Sequence, residues 1–172
     1  GYKPCAPYKI CEQCSDSSPV GKRILLISLE AQGAVLMTTA LLHSIKRKYP
    51  DSFLIWLTMQ ESIPLLGNNY FIDIVLPWND ENRMLLQQIA FDIVYALDKS
   101  HYTGAFVKGL NVKSKFGFGL SPQGAIIPLN EGALYSYKLG LNDTLKFQEN
   151  KLTGIEILYR TAELPYQGDG YI

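Results

Sequence analysis

The chain has 172 residues, enough for one domain with a hydrophobic core of its own. Hydrophobic residues make up 47% and charged residues 19%, the balance of an ordinary globular domain rather than a disordered or fibrous one. Sixteen basic residues cancel sixteen acidic ones, which excludes a nucleic-acid surface held by bulk charge, and no apolar run approaches the ~20 residues needed to span a bilayer.

Residues 1–21 stand apart. "GYKPCAPYKICEQCSDSSPVG" holds three Pro and three Cys, leaves through a Ser-rich stretch and shows neither a helical nor a strand period. It reads as a loop that needs an outside constraint. It has no apolar segment of the kind a signal peptide carries. Cys5, Cys11 and Cys14 are spaced C-x5-C-x2-C, and a C-x2-C knuckle is a common half of a zinc site. Three thiolates leave a fourth position, open to a Cys before Gly1, to another side chain or to water. His43 and His101 lack the spacing of a local partner. The expected ion is zinc, with iron second. A Cys11–Cys14 disulfide and free thiols are the alternatives, and a cytosolic setting disfavours the disulfide.

From Arg23 the pattern changes. "RILLIS" is a continuous apolar run, as expected of a strand buried on both faces. Gly33 to Tyr49 reads as one helix with Val35, Leu36, Leu41, Leu42 and Ile45 on its apolar side, a basic end and Pro50 as its stop. "FLIWLT" is a second strand, "SIPLLGNN" a short helix or turn, and "FIDIVLPW" a third strand. "NDENRMLLQQIA" opens on capping residues and reads as a helix. "FDIVYALD" is a fourth strand, "HYTGAFVKGL" a weaker helix, and "SKFGFGL" a short fifth strand. Strands alternating with helices predict βα units and a parallel sheet: an α/β, Rossmann-like domain over residues 22–172. After Leu120 the rhythm breaks, and two helical stretches are expected at about Glu131–Leu139 and Asn150–Glu163. The final "LPYQGDGYI" reads as a linker.

In an open parallel sheet, ligands bind beyond the carboxyl ends of the strands. Three such ends carry polar residues here: "SLEAQGA" with Glu30, "WLTMQES", and "ALDKSHY" with Asp98, Lys99 and His101. Loop residues and helix caps account for the same residues equally well. Gly33 opens a helix, whose free N–H groups suit an anion. One glycine is not the three of a dinucleotide-binding turn, and no acid ends "FLIWLT", so a nicotinamide site is not expected. Tyr135 and Tyr137 in "PLNEGALYSY" offer aromatic faces to a sugar, although helix packing is the simpler use.

"GAVLMTTALLHSIKRKYP", followed by "DSFLIWLT", "IDIVLPW" and "FDIVYALDKS", resembles the N-terminal half of glycosyltransferase family 9, the ADP-heptose:lipopolysaccharide heptosyltransferases. The resemblance covers about 22–172 and includes "GIEILYRTAELPY". The Cys-rich "PCAPYKICEQC" is similar to an N-terminal segment in some members. The resemblance implies a GT-B fold of two Rossmann-like domains. This chain would be the acceptor-binding one, and a donor domain would lie elsewhere in a longer protein. It implies a nucleotide-sugar donor such as ADP-heptose, a glycan, glycolipid or protein acceptor of the cell envelope, and a cytoplasmic setting with peripheral contact at the inner membrane. Acceptor and phosphate contacts would fall to Gln32, Gly33, Ala34, Thr38 and Lys99. In the family an Asp follows the turn glycine as general base. Here that position is Ala34, which cannot take a proton. Glu30 is the first candidate to replace it and Asp98 the second. Glu30 as a cap of the helix at Gly33, and Asp98 paired with Lys99 or a backbone amide, are the competing uses. A metal-stapled, non-catalytic binding or assembly module is the alternative to transfer.

Overall fold

The computed structural model describes Cys14 and residues 20–172. Of the proposed thiol site, Cys5 and Cys11 lie outside the described residues, and Cys14 is half-buried. Among the described residues no three His, Cys, Asp or Glu side chains gather as metal ligands.

The core is a six-stranded sheet. Strands β1 (Arg23–Ile27), β2 (Phe53–Thr58), β3 (Ile74–Pro77), β4 (Phe91–Ala96), β5 (Val112–Leu120) and β6 (Ile126–Pro128) lie in the order β3-β2-β1-β4-β5-β6. The first five pair in parallel, and β6 runs antiparallel to β5. Central β1 explains why a continuous apolar run was needed. Ile24 and Leu26 join one core and Leu25 and Ile27 the other, and all four are fully buried. Each face of the sheet is covered, so the period-2 alternation of a strand divides its side chains between two interiors instead of between core and water.

The helices are α1 (Gln32–Thr38), α2 (Leu41–Lys48), α3 (Ile63–Leu66), α4 (Asp80–Gln87), α5 (His101–Lys108), α6 (Glu131–Leu139) and α7 (Gly154–Ala162). The single helix expected from Gly33 to Tyr49 is broken at Thr39–Ala40. There the backbone slips to tighter bonds, Thr39 N–H to Leu36 O and Ala40 N–H to Met37 O. Two threonines drive the slip: Thr38 Oγ1 donates to Ala34 O at 2.8 Å and Thr39 Oγ1 to Leu36 O at 2.7 Å. Hydroxyls that bond back to helix carbonyls bend the helix.

The second half departs further from expectation. The fifth strand is two residues longer than "SKFGFGL", and β6, three residues long, carries no readable alternation. Gly117 in β5 has φ 101°, and a Cβ there would stand 1.9 Å from Ala96 O, so only glycine lets β4 and β5 stay paired at that point. The last helix begins at Gly154, not Asn150, because Thr153 closes a capping box with Glu156. Leu145–Glu149 forms one π turn between α6 and α7.

The C-terminal segment is docked rather than linker-like. Asp169 takes two hydrogen bonds from Arg47, at 2.6 and 2.7 Å, and one from the Tyr159 hydroxyl at 2.8 Å. Ser44 Oγ donates to Pro165 O, and Ile172 N–H to Thr39 Oγ1. Turn-forming Gly and Pro predicted a loop correctly; what they could not reveal was a buried acid that fastens the loop to α2.

Candidate functional site at the strand-order reversal

From β1 the chain builds outward to β2 and β3, then crosses back to place β4 on the other side of β1. The two connections leave the carboxyl ends of β1 and β4 in opposite directions and open a crevice between them. In open α/β sheets this reversal is where ligands bind.

Two candidate acids meet at that point. Asp98, just past β4, accepts the backbone N–H of Leu29 at 2.9 Å and of Glu30 at 3.3 Å, just past β1. Of its two competing sequence-level uses, the backbone amide is the observed one; no Asp98–Lys99 ion pair forms among the described residues. Burial pushes the Asp98 carboxyl up to about 6, with the charge of Glu30 adding to the rise and the two amides opposing it. Glu30 itself is exposed, and its Oε1 accepts the hydroxyl of Tyr102 from the first turn of α5. It does not cap α1. Ala31 occupies the N-cap with φ 57°, and no side chain bonds to that helix end.

The other sequence candidates are placed as follows. Gln32 and Gly33 open α1 at the surface, and Gln32 Nε2 donates to Glu61 O at 3.0 Å, tying α1 to the turn after β2. The three polar loops therefore do converge on one edge. Ala34 is half-buried, and its N–H is spent on Ala31 O at 2.8 Å. Thr38 lies beneath it, buried, with Oγ1 3.5 Å from Ser28 Oγ. Lys99 turns to the opposite side of β4, where Nζ donates to Ser136 O at 2.8 Å and stands 4.8 Å from the centre of the Phe118 ring. Partial burial, and then the charge of Lys146, push its ammonium down. A cleft of about 320 Å³ opens there, between Met37 of α1, Asp98, Lys99, Phe118 and the start of α7 at Gly154. His101 is exposed at the start of α5. Tyr135 is committed elsewhere: its hydroxyl donates to Asn150, and the Arg160 guanidinium covers its ring at 4.3 Å.

Tyr102 is the residue at this point that sequence reasoning passed over. The readable signal was its context, Ser100 capping α5 by accepting the Thr103 N–H. That cap fixes the helix phase, and the phase decides that Tyr102 and not His101 reaches Glu30.

No family model matches the chain, and no curated protein matches it. Solved structures do. The Escherichia coli heptosyltransferase WaaC with ADP superposes with a TM-score of 0.51 at 14% identity, over 82% of this chain and 53% of that one. The same enzyme with ADP-2-deoxy-2-fluoro heptose gives 0.50 at 14% identity, over 80% and 53%. The glycosyl transferase family 9 structure from Veillonella parvula DSM 2008 gives 0.48 at 20% identity, over 58% and 32%. The fold is glycosyltransferase-like. It rests on the two WaaC structures, of which this chain spans about half the length. The Rossmann-like sheet expected from the sequence is thus the one observed. No helix among the described residues is long and apolar enough to cross a membrane.

Proposed function

We propose that this chain is the acceptor-binding part of a glycosyltransferase that moves a heptose-like sugar from a nucleotide-sugar donor such as ADP-heptose to a cell-envelope glycan, glycolipid or protein. The observation that carries this reading is the meeting of Glu30 and Asp98 at the reversal of strand order, in a fold shared with a heptosyltransferase. In the transfer step the acceptor hydroxyl oxygen bonds to the anomeric carbon of the donor sugar. The bond from that carbon to the diphosphate breaks, the nucleoside diphosphate leaves with the electron pair, and the hydroxyl proton passes to a protein carboxylate.

Glu30 is the group to receive that proton, because it is exposed at the crevice and its own backbone is held by Asp98. Asp98 acts as a positioning residue, since both of its oxygens are engaged by amides. Tyr102 orients the Glu30 carboxylate. Gln32, Gly33 and Ala34 at the start of α1 form the neighbouring acceptor contacts, while Thr38 lies buried beneath them and Lys99 faces the cleft on the other side of β4. The thiols of Cys5, Cys11 and Cys14 hold a structural zinc or iron, and no step of the transfer depends on it. The protein works in the cytoplasm, in peripheral contact with the inner face of the membrane.

The test is to incubate the full-length protein with ADP-heptose and deacylated or intact envelope glycolipid, and to follow ADP release and acceptor mass. Sugar-dependent ADP release supports the reading. No transfer or donor hydrolysis with any nucleotide sugar would leave the binding-module alternative, which Ala34 favours, in its place. Residues 1–172 alone are expected to show no turnover, because the donor site belongs to a second domain.

A further inference from the structure

Tyr102 belongs to two places at once. Its hydroxyl meets Glu30, and its ring forms part of the wall of a groove of about 470 Å³ between α4 and α5. The groove follows from helical spacing. Asp80, Arg83, Met84 and Gln87 recur along one face of α4, and Tyr102, Ala105 and Phe106 along one face of α5. Trp78, just past β3, braces the α5 wall, its ring centre 5.7 Å from that of Tyr102 and 5.3 Å from that of Phe106. Phe106 is buried, whereas Tyr102 and Met84 are left open to solvent at 41% and 67% exposure. The volume falls in the range of small-molecule sites.

The charges in this groove cancel. Arg83 donates to Asp80, donates through Nε to Asn79 O at 3.4 Å, and stands 5.0 Å from the centre of the Trp78 ring. No other cation lines the groove among the described residues. An anionic ligand would have to compete with a carboxylate already paired to that guanidinium. A wholly apolar ligand is disfavoured too, because Asp80, Arg83 and Gln87 would lose water without gaining partners. An uncharged pyranose meets both conditions. Its C–H face covers an aromatic ring, and its hydroxyls serve the Asp80 carboxylate and the Gln87 amide as hydrogen-bond partners. A ring held against Tyr102 also lies one side chain away from Glu30, the group assigned to take the acceptor proton.

We propose that the α4–α5 groove is a saccharide subsite that holds an uncharged pyranose of the acceptor against Tyr102, with Asp80 and Gln87 taking its hydroxyls and the Arg83–Asp80 pair turning anionic sugars away. The word acceptor rests on the transferase reading above; the subsite and its preference for a neutral ring do not.

Trp78 reports on the groove without turnover. The protein is titrated with three neutral disaccharides, maltose, lactose and mannobiose, and with digalacturonic acid, while tryptophan emission is followed; the other tryptophan, Trp56, is fully buried. The expected result is a saturable change with at least one neutral disaccharide and weaker binding of the acid. Tyr102→Ala should weaken the neutral sugar by about tenfold, whereas Tyr102→Phe, which keeps the ring and loses the bond to Glu30, should bind it as the wild type does. Asp80→Asn frees Arg83 and should tighten digalacturonic acid by about fivefold. No change with any of the three neutral disaccharides would overturn the proposal. So would tighter binding of the acid by the wild type, or neutral binding that survives Tyr102→Ala undiminished. Sugar binding without transfer keeps the subsite and overturns only the transferase reading; transfer without neutral-sugar binding does the reverse. Circular dichroism of each variant separates loss of binding from loss of fold.

Discussion

Two carboxylates, Asp98 and Asp169, are both withdrawn from water, and they respond in opposite ways. Asp169 lies in the C-terminal segment with its side chain 8% exposed, facing the Arg47 guanidinium and the Tyr159 hydroxyl. Arg47 holds it down at about 2, with the Tyr159 bond adding to the effect. Asp98 lies at the strand-order reversal with two backbone amides and no cation, and burial pushes it up to about 6. Asp169 has what a structural acid needs, a permanent opposite charge. Asp98 lacks one and sits in a crevice, the combination that marks functional sites. The acid without a cation is the one that holds the turn carrying Glu30.

The difference has a sign in pH. Asp98 is raised above its unfolded value, so its contribution is fully present below about pH 4 and is lost as pH rises through about 6. A shift of that size corresponds to ~3 kcal/mol at most. Wild-type stability measured against Asp98→Asn should therefore fall between pH 4 and pH 6.5 in urea titrations. A flat difference across that window would mean that Asp98 is as well solvated as a surface acid. Asp169 is lowered, so its contribution is present above about pH 4 and disappears as pH falls through about 2, giving Asp169→Asn the opposite slope in the acid limb.

A smaller effect is expected from removing the cation. Arg47→Met leaves Asp169 without its two charged hydrogen bonds, yet the guanidinium side is 39% exposed and water screens part of the loss. The expected cost is about 1–2 kcal/mol in thermal or urea unfolding. It should be accompanied by faster amide exchange at Ile172, whose N–H is tied to Thr39. Tyr102→Phe sits at the bottom of the scale. It removes one exposed hydroxyl contact to Glu30 and should change stability by under about 0.5 kcal/mol. Any larger change in catalytic rate than in stability would then report on the orientation of Glu30.

The sheet was legible because β1, β2 and β4 are runs of apolar residues that alternation divides between two cores, and such runs survive any detail of packing. The break between α1 and α2 was not, because it depends on Thr38 and Thr39 choosing helix carbonyls over other partners. Likewise β6 is three residues long and paired only through its approach to β5. At the site, Glu30 and Asp98 could be picked from their positions after strands. Their joining through the Glu30 amide could not, since it spans 68 residues and depends on strand order. The meeting of Tyr102 with Glu30 needs both the phase of α5, which the Ser100 cap sets, and the strand order that brings β4 beside β1, which the residues around Tyr102 do not carry.

The measurement that tests the account most directly is the rate of sugar transfer by full-length protein carrying Glu30→Gln. If Glu30 takes the acceptor proton, kcat should fall by ~10²–10⁴-fold with the fold intact and the acceptor KM little changed. Asp98→Asn, which acts through the position of the turn, should lower the rate less and raise KM with it. A loss below about fivefold for Glu30→Gln would contradict the assignment and move the proton acceptor to another residue.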